Sequence, residues 1–203
     1  RIAVQKAKDS NMPAANIERA IKRGDGTDGS AVQMEELTYE GYGPGGTAIL
    51  LQVLTDNKNR TVSEVRSTFT KIGGSMAEAG AVAWQFEQKG VVVVNANEDQ
   101  ADELTLVAID AGADDIETVD TTLHAYSAPS DMEEIRRTLS ESGADIESSE
   151  LAMVPKNTIA LDEKTAMQAL RLLDQLEELD DIQKVFSNAD FPDEALAEYA
   201  NAE

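Results

Sequence analysis

Cationic side chains that could bind anions are concentrated in the first third of the chain. Residues 1–74 contain 10 lysines and arginines against 9 acids, whereas the remaining residues contain 7 against 30. Lysine and arginine hold phosphate groups through charge-assisted hydrogen bonds, which position a protein on nucleic acid without reading its bases. The candidate nucleic-acid-binding residues are Lys6, Lys8, Arg19, Lys22, Arg23, Lys58 and Arg60.

Two groups of these cations also have a structural explanation. The cations in the range 19–23 lie near the end of a predicted helix, where the helix dipole favours positive charge. Lys58 and Arg60 follow a predicted strand in a polar loop before a helix, which is a suitable place for an anion. In that loop, Asp56 and Asn57 could instead serve only local turn hydrogen bonds. Both interpretations stay open on the residues alone.

The sequence offers no recognisable catalytic machinery. It has no cysteine, and no motif pairs a nucleophile with a base. Its one histidine, His124, lies in an alternating, strand-like run and is assigned no chemistry. The glycines from Gly41 to Gly46 precede a strand rather than a helix and lack the P-loop lysine, so a hairpin turn explains them better than a phosphate cradle. We predict no enzyme activity, no catalytic residues, no metal site and no cofactor.

Composition narrows the class of protein. The net charge of −22 argues against a protein that coats nucleic acid indiscriminately. Without cysteine and without an apolar stretch long enough to span a bilayer, the chain is expected to be cytoplasmic, with no membrane partner. Because it begins at Arg1 inside a helix-like pattern, we expect a further N-terminal part to precede it.

The elements that must position the cations follow from periodicity and turn residues. A helix is expected before Gly24, a linker over Asp25–Ser30, and two strands over 36–42 and 47–55. The capping-box pattern of Thr61–Glu64 predicts a helix start. A strand is then expected over 81–87, with Trp84 and Phe86 as core anchors and a turn at Lys89–Gly90 into Val91–Val94.

The next part of the chain is acidic, with 16 acids and 2 bases in residues 98–150. Together with Val91–Val94, its pattern predicts the order β-α-β-β-α-β of a ferredoxin-like unit, whose second helix opens with a capping box at Ser130–Glu133. A long helix from Asp162 to about Asp180 and a strand over 181–187 come next. The acids that end this helix are expected to serve solvation or a partner, and the tail from Asn188 is expected to fray.

The last helix and strand find partners only if they return to the first sheet, so we predict a discontinuous middle domain with the acidic unit inserted in it. The predicted domains comprise residues 1–30, the remainder of a helical N-terminal domain; 35–89 with 156–195, a middle α/β domain; and 90–155, an inserted acidic ferredoxin-like domain.

Several motifs in order resemble the YebC/PmpR family of probable transcriptional regulatory proteins, which is related to mitochondrial translational activators. The motifs are Asn11-Met-Pro, Asn16–Gly24, Tyr39–Gly46, Asp56–Thr61, Gly73-Gly74 and Asp180–Val185. The resemblance implies an α+β fold in which a helical N-terminal domain and two α/β domains of ferredoxin-like (split βαβ) character surround a cleft. Family members normally begin with a basic helical stretch that this sequence lacks, so its nucleic-acid binding should be weaker than theirs.

The resemblance also implies a cytoplasmic, DNA-binding transcriptional regulator, acting through a basic surface on the N-terminal helical domain. The alternative is a ribosome-associated translation factor that binds rRNA, with the acidic unit facing basic ribosomal proteins. Aromatic residues are not interleaved with basic ones along the sequence, which argues against a single-strand stacking platform. The sequence does not specify the oligomeric state or a preferred target sequence.

Overall fold

The computed structural model describes residues 12–24, 34–96, 98–119 and 121–202. The helices in these ranges are α1 (Ala14–Gly24), α2 (Lys58–Lys71), α3 (Glu98–Asp110), α4 (Met132–Glu141), α5 (Glu163–Glu177) and α6 (Asp193–Ala202). The strands are β1 (Glu35–Tyr42), β2 (Ala48–Thr55), β3 (Ser75–Ala77), β4 (Phe86–Asn95), β5 (Asp115–Val119), β6 (Thr122–Ser127), β7 (Asp145–Pro155), β8 (Ile159–Ala160), β9 (Ile182–Ser187) and β10 (Ala189–Asp190). None of the described helices has the length and apolarity needed to cross a membrane. The predicted linker over Asp25–Ser30 lies outside the described residues.

The first sheet has the strand order β3-β1-β2-β9, with antiparallel neighbours throughout. Its β1–β2 hairpin turns at Pro44–Gly46, where Gly45 and Gly46 have φ values of +73° and +75°. Only glycine adopts such values at little cost, so the predicted hairpin turn is confirmed. Helices α2 and α5 pack on this sheet through a shared apolar core of Ile49, Leu51, Val53, Val65, Phe69, Leu172, Leu176 and Ile182.

The second sheet has the order β5-β6-β4-β7 and is also antiparallel. With the helices after its first and third strands, this is the ferredoxin-like arrangement expected from the sequence pattern. Helices α3 and α4 cover one face, in a core of Val92, Val94, Leu104, Ala108, Leu123, Ala125, Ile135 and Leu139. The mixed α+β class is therefore confirmed, while the predicted domain boundaries stay a prediction.

The strand predicted over 81–87 is wrong. Residues Ala83–Gln85 form a short 3-10 turn, and the Trp84 side chain is 69% exposed rather than a core anchor. Phe86 is buried as expected, and β4 continues without a turn through Lys89 and Gly90. The missing side chain of Gly90 is required there, because a Cβ atom would lie 2.4 Å from Met132 Cβ.

Two other local expectations are also wrong. The tail from Asn188 is ordered by tertiary contacts: the buried Asn188 Oδ1 accepts a hydrogen bond from Ala48 N at 2.7 Å, and β10 pairs in parallel with β8. Helix α6 then buries Ala195. At Ser130–Glu133 no capping box forms, since α4 begins at Met132 and Ser130 Oγ donates to the Asp131 carboxylate instead.

Candidate nucleic-acid interface

Helix α1 contains three of the predicted nucleic-acid-binding residues, Arg19, Lys22 and Arg23. It begins directly after Pro13, whose carbonyl accepts hydrogen bonds from the backbone N–H groups of Asn16 and Ile17 at 2.9 and 3.2 Å. Ile17 is buried, whereas Arg19 and Lys22 are exposed. Being three residues apart, these two cations are neighbours on the helix surface.

Neither Arg19 nor Lys22 has an acidic partner among the described residues. No described carboxylate therefore neutralises their positive charge. Arg23 belongs to the same helix, but its side chain is not described, and Lys6 and Lys8 lie outside the described residues.

The other predicted cations, Lys58 and Arg60, already pair with carboxylates of the chain itself. Lys58 Nζ lies 2.5 Å from a carboxylate oxygen of Glu35. The Arg60 guanidinium donates to Asp56 Oδ1 at 2.8 Å and to both carboxylate oxygens of Asp181 at 2.8 and 2.9 Å. These contacts neutralise much of the positive charge that the loop was expected to offer a phosphate.

The surroundings of Arg60 strengthen this effect. The surface pocket that contains its guanidinium is lined by carboxylates, namely Asp56, Glu64, Glu178, Asp180 and Asp181. A phosphate entering this pocket would meet their negative potential before it reached the single arginine. The structure therefore gives Arg60 a role inside the fold, which is to pair with Asp56 and Asp181.

Asp181 is the centre of this polar cluster and is only 8% exposed. Its carboxylate also accepts hydrogen bonds from Thr61 Oγ1 at 2.6 Å and from Thr55 Oγ1 at 3.1 Å. The bonds from Thr61 and Arg60, and then that from Thr55, outweigh burial and hold the pKa of Asp181 below its usual value. Asp181 is one of the acids around the end of the predicted helix that starts at Asp162, which were expected to serve solvation or a partner; it instead ties the segment before β9 to α2.

The same cluster explains why α2 does not begin at Thr61, the position that the sequence predicts. Helix α2 begins at Lys58, and Asn57 caps it by accepting a hydrogen bond from Arg60 N at 3.1 Å. The capping box predicted at Thr61–Glu64 is wrong because Thr61 lies within the helix and its hydroxyl turns to Asp181. The serines and threonines at the start of α2 are only a weak sign in the sequence that a polar cluster forms there. Nothing local in the sequence identifies Asp181 as the partner of Thr61.

Two further exposed cations lie in the first part of the chain. Arg66 and Lys71 lie on α2, are exposed, and have no ion-pair partner among the described residues. With four cations and one acid, α2 contrasts with α3, which has five acids and no cation. Neither residue is among those that the sequence predicts to bind nucleic acid.

Comparison with known proteins places these features in a family context. Residues 34–189 match the family model described as the second and third domain of TACO1/YebC. A probable transcriptional regulatory protein of Dehalococcoides mccartyi is 56% identical over 200 residues, covering 98% of this chain and 79% of that protein. A protein of the same description from Halothermothrix orenii is 49% identical over 201 residues, with the same coverage of 98% and 79%.

A solved structure resembles the fold as well. The crystal structure of a conserved hypothetical protein from Aquifex aeolicus aligns with a TM-score of 0.78 and 41% identity. The alignment covers 94% of this chain and 79% of the Aquifex chain. At this identity, the likeness reflects common descent as well as a common fold.

Proposed function

Since this chain belongs to the TACO1/YebC family, we propose that it is a transcriptional regulator that binds DNA through the basic surface of its N-terminal part. The observation that carries the proposal is the pair of exposed cations on α1, Arg19 and Lys22, which have no acidic partner among the described residues. Free, exposed cations are what phosphate contacts require, because no internal ion pair has to be broken first.

The proposed interface also includes Arg23, Lys6 and Lys8. Lys58 and Arg60 contribute less in this proposal, since binding phosphate would compete with their own carboxylates at 2.5 to 2.9 Å. The acidic unit of residues 98–150 repels DNA, which favours a defined orientation with this unit pointing away. The proposal includes a cytoplasmic location, which the cysteine-free sequence supports.

Salt-dependent binding tests the proposal. The variant Arg19→Ala/Lys22→Ala removes two phosphate contacts, so the slope of log affinity against log salt concentration for duplex DNA should decrease by about 2. The matched control is Lys164→Ala/Arg171→Ala, which removes one lysine and one arginine that are exposed on α5. Both variants change the net charge equally, so an equal slope change in the two would contradict an interface on α1.

A second candidate function is supported by the acidic unit. The 16 acids and 2 bases of residues 98–150 have no use in DNA binding, but they would suit basic ribosomal proteins, with the cations on rRNA. In this alternative the protein is a ribosome-associated translation factor. Co-sedimentation with ribosomes at several salt concentrations distinguishes the two: a regulator of transcription stays at the top of the gradient, whereas a translation factor moves with the ribosome.

A further inference from the structure

Two exposed aromatic side chains donate to the same backbone carbonyl, Trp84 from the 3-10 turn before β4 and Tyr42 from the end of β1. Trp84 is 69% exposed and Tyr42, at the end of β1, is 38% exposed. The Trp84 Nε1–H and the Tyr42 hydroxyl both donate to the Ala81 carbonyl, at 3.0 and 3.3 Å. The shared acceptor holds the two polar groups close together, and the Trp84 side chain stays largely exposed to solvent.

The backbone of the loop that carries Trp84 is held in place by the buried side chain of Glu40. The side chain of Glu40, only 4% exposed, accepts hydrogen bonds from the backbone N–H groups of Gly80, Val82 and Ala83 at 2.6, 2.6 and 2.9 Å. Burial alone would raise the pKa of Glu40, but these three donors lower it below its usual value, so the carboxylate stays charged and bonded. The indole is therefore presented in a fixed position, which reduces the entropy lost when it binds a ligand.

A cation completes the surface. Lys156 Nζ donates to the Trp84 carbonyl at 2.9 Å, and Lys156 N donates to the Gln85 carbonyl at 2.8 Å. Lys156 is exposed and, unlike Arg60, forms no ion pair with a described carboxylate, although Glu87, Asp115 and Glu117 line the same surface pocket. Tertiary structure thus assembles two aromatic rings and a cation that are 42 and 72 residues apart along the chain.

We propose that Trp84 stacks an unpaired base of a single-stranded nucleic acid, while Lys156, whose ammonium group is bonded to the Trp84 carbonyl, contacts the adjoining phosphate. A rigid exposed ring next to a cation is the arrangement that single-strand binding uses, because every base has a face to stack and every nucleotide a phosphate. A protein interface is less well suited, since the loop over residues 78–85 exposes, apart from Trp84, only small or polar side chains.

This inference deepens the proposed function, from which it takes nucleic acid as the partner, by adding a site for strands that are not paired. It departs from the expectation, drawn from the linear order of residues, that argues against a single-strand stacking platform. The duplex interface on α1 and the stacking site are separate, so each can fail alone.

Trp84 is the one tryptophan of the chain and therefore reports on its own environment. We expect a single-stranded oligothymidylate, titrated at low ionic strength, to quench the Trp84 fluorescence, and an abasic strand of equal length to leave it unchanged. Fluorescence anisotropy of the labelled strand should show that Trp84→Ala weakens binding at least about fivefold, the lower limit for one stacked base. Trp84→Phe, which keeps a ring, should retain most of the affinity.

Since Trp84 is largely exposed, its replacement should leave the circular dichroism spectrum unchanged, which excludes misfolding as the cause. If the abasic strand quenches equally, or if Trp84→Ala binds the oligothymidylate as tightly as the parent protein, the stacking site is refuted and the aromatic pair is assigned to a protein contact.

Duplex DNA separates this result from the proposed function. Trp84→Ala should bind duplex unchanged, while Arg19→Ala/Lys22→Ala should lose duplex affinity. If the oligothymidylate leaves the Trp84 fluorescence unchanged while Arg19→Ala/Lys22→Ala loses duplex affinity, only the stacking site is refuted. A quenched Trp84 with no effect of the α1 variant refutes only the duplex interface, and binding to neither strand form refutes both.

Discussion

Replacing Asp181 with alanine should destabilise the protein far more than removing any neighbouring acid. Asp181 is the shared acceptor for Thr55, Arg60 and Thr61, and it joins the entry to β9 with the start of α2. Asp180 precedes it directly, is exposed and carries the same charge. Asp180→Ala is therefore a control that matches the change in net charge and in helix-end composition.

The magnitude follows from the two hydroxyl bonds. A hydrogen bond to a charged group contributes about 1.5–3 kcal/mol, so the bonds from Thr61 and Thr55 would together contribute about 3–6 kcal/mol. The Thr61 hydroxyl can turn to the Asn57 carbonyl, which already lies 3.0 Å away, and this recovers part of the loss. We expect a loss of about 2–4 kcal/mol in the free energy of unfolding, and less than about 0.5 kcal/mol for Asp180→Ala.

Urea unfolding followed by far-UV circular dichroism measures the difference. With an m-value of about 2–3 kcal/mol per molar urea, the midpoint for Asp181→Ala should decrease by roughly 1 M. Thr61→Val should cost less in the Asp181→Ala background than in the parent protein, because the bond between the two is already absent. Equal midpoints for the Asp180 and Asp181 variants would refute the assignment of Asp181 as the centre of this cluster.

The pH dependence has a definite sign. The pKa of Asp181 is lower in the folded protein than its ordinary value of 3.8. Its stabilisation is therefore fully present above that ordinary value and is lost as pH falls through the lower, folded pKa. The deficit of Asp181→Ala relative to the parent protein should be largest near neutral pH and should shrink in acid. A deficit that grows in acid would contradict this assignment.

Three other changes test separate parts of the structure. Glu40→Gln puts an amide donor among backbone N–H donors, so amide hydrogen exchange in the loop 78–83 should accelerate and the free energy of unfolding should fall by about 1–3 kcal/mol. Unchanged exchange would contradict the role of the Glu40 carboxylate in holding this loop. Gly41→Ala would place a Cβ atom 2.5 Å from the ring of Phe69, and urea unfolding should show a loss of about 1–3 kcal/mol. Burial, followed by a neighbouring carboxylate, raises the pKa of Tyr126 to about 12, so Tyr126→Phe should remove the tyrosine absorbance transition near that pH.

Much of the fold follows from local patterns. The apolar run of β2, the glycine turn before it and the 3.6-residue spacing of Val65 and Phe69 each specify an element without reference to the rest of the chain. The order of elements in the acidic unit was sufficient to predict its ferredoxin-like sheet, because short connections leave few arrangements for β-α-β-β-α-β. The motifs that identify the family are likewise local, and the TACO1/YebC match confirms them.

Boundaries and exposure were less predictable. The alternation of apolar and polar residues around Trp84 does not distinguish a strand from a turn. The turn forms because Glu40, 44 residues earlier, binds the backbone of that loop. The tail from Asn188 is polar and rich in alanine, and only its contacts with Ala48 and the short strand β8 order it.

The cations illustrate the same division between sequence and structure. The sequence by itself determined that positive charge lies early in the chain and negative charge late, and that Lys58 and Arg60 follow the strand β2. Only the tertiary structure decided which cations are free, because Asp181 comes to Arg60 from 121 positions away, leaving Arg19 and Lys22 as exposed charges without acidic partners among the described residues. Pairing between distant charges depends on how the sheet is completed, and no local pattern encodes it.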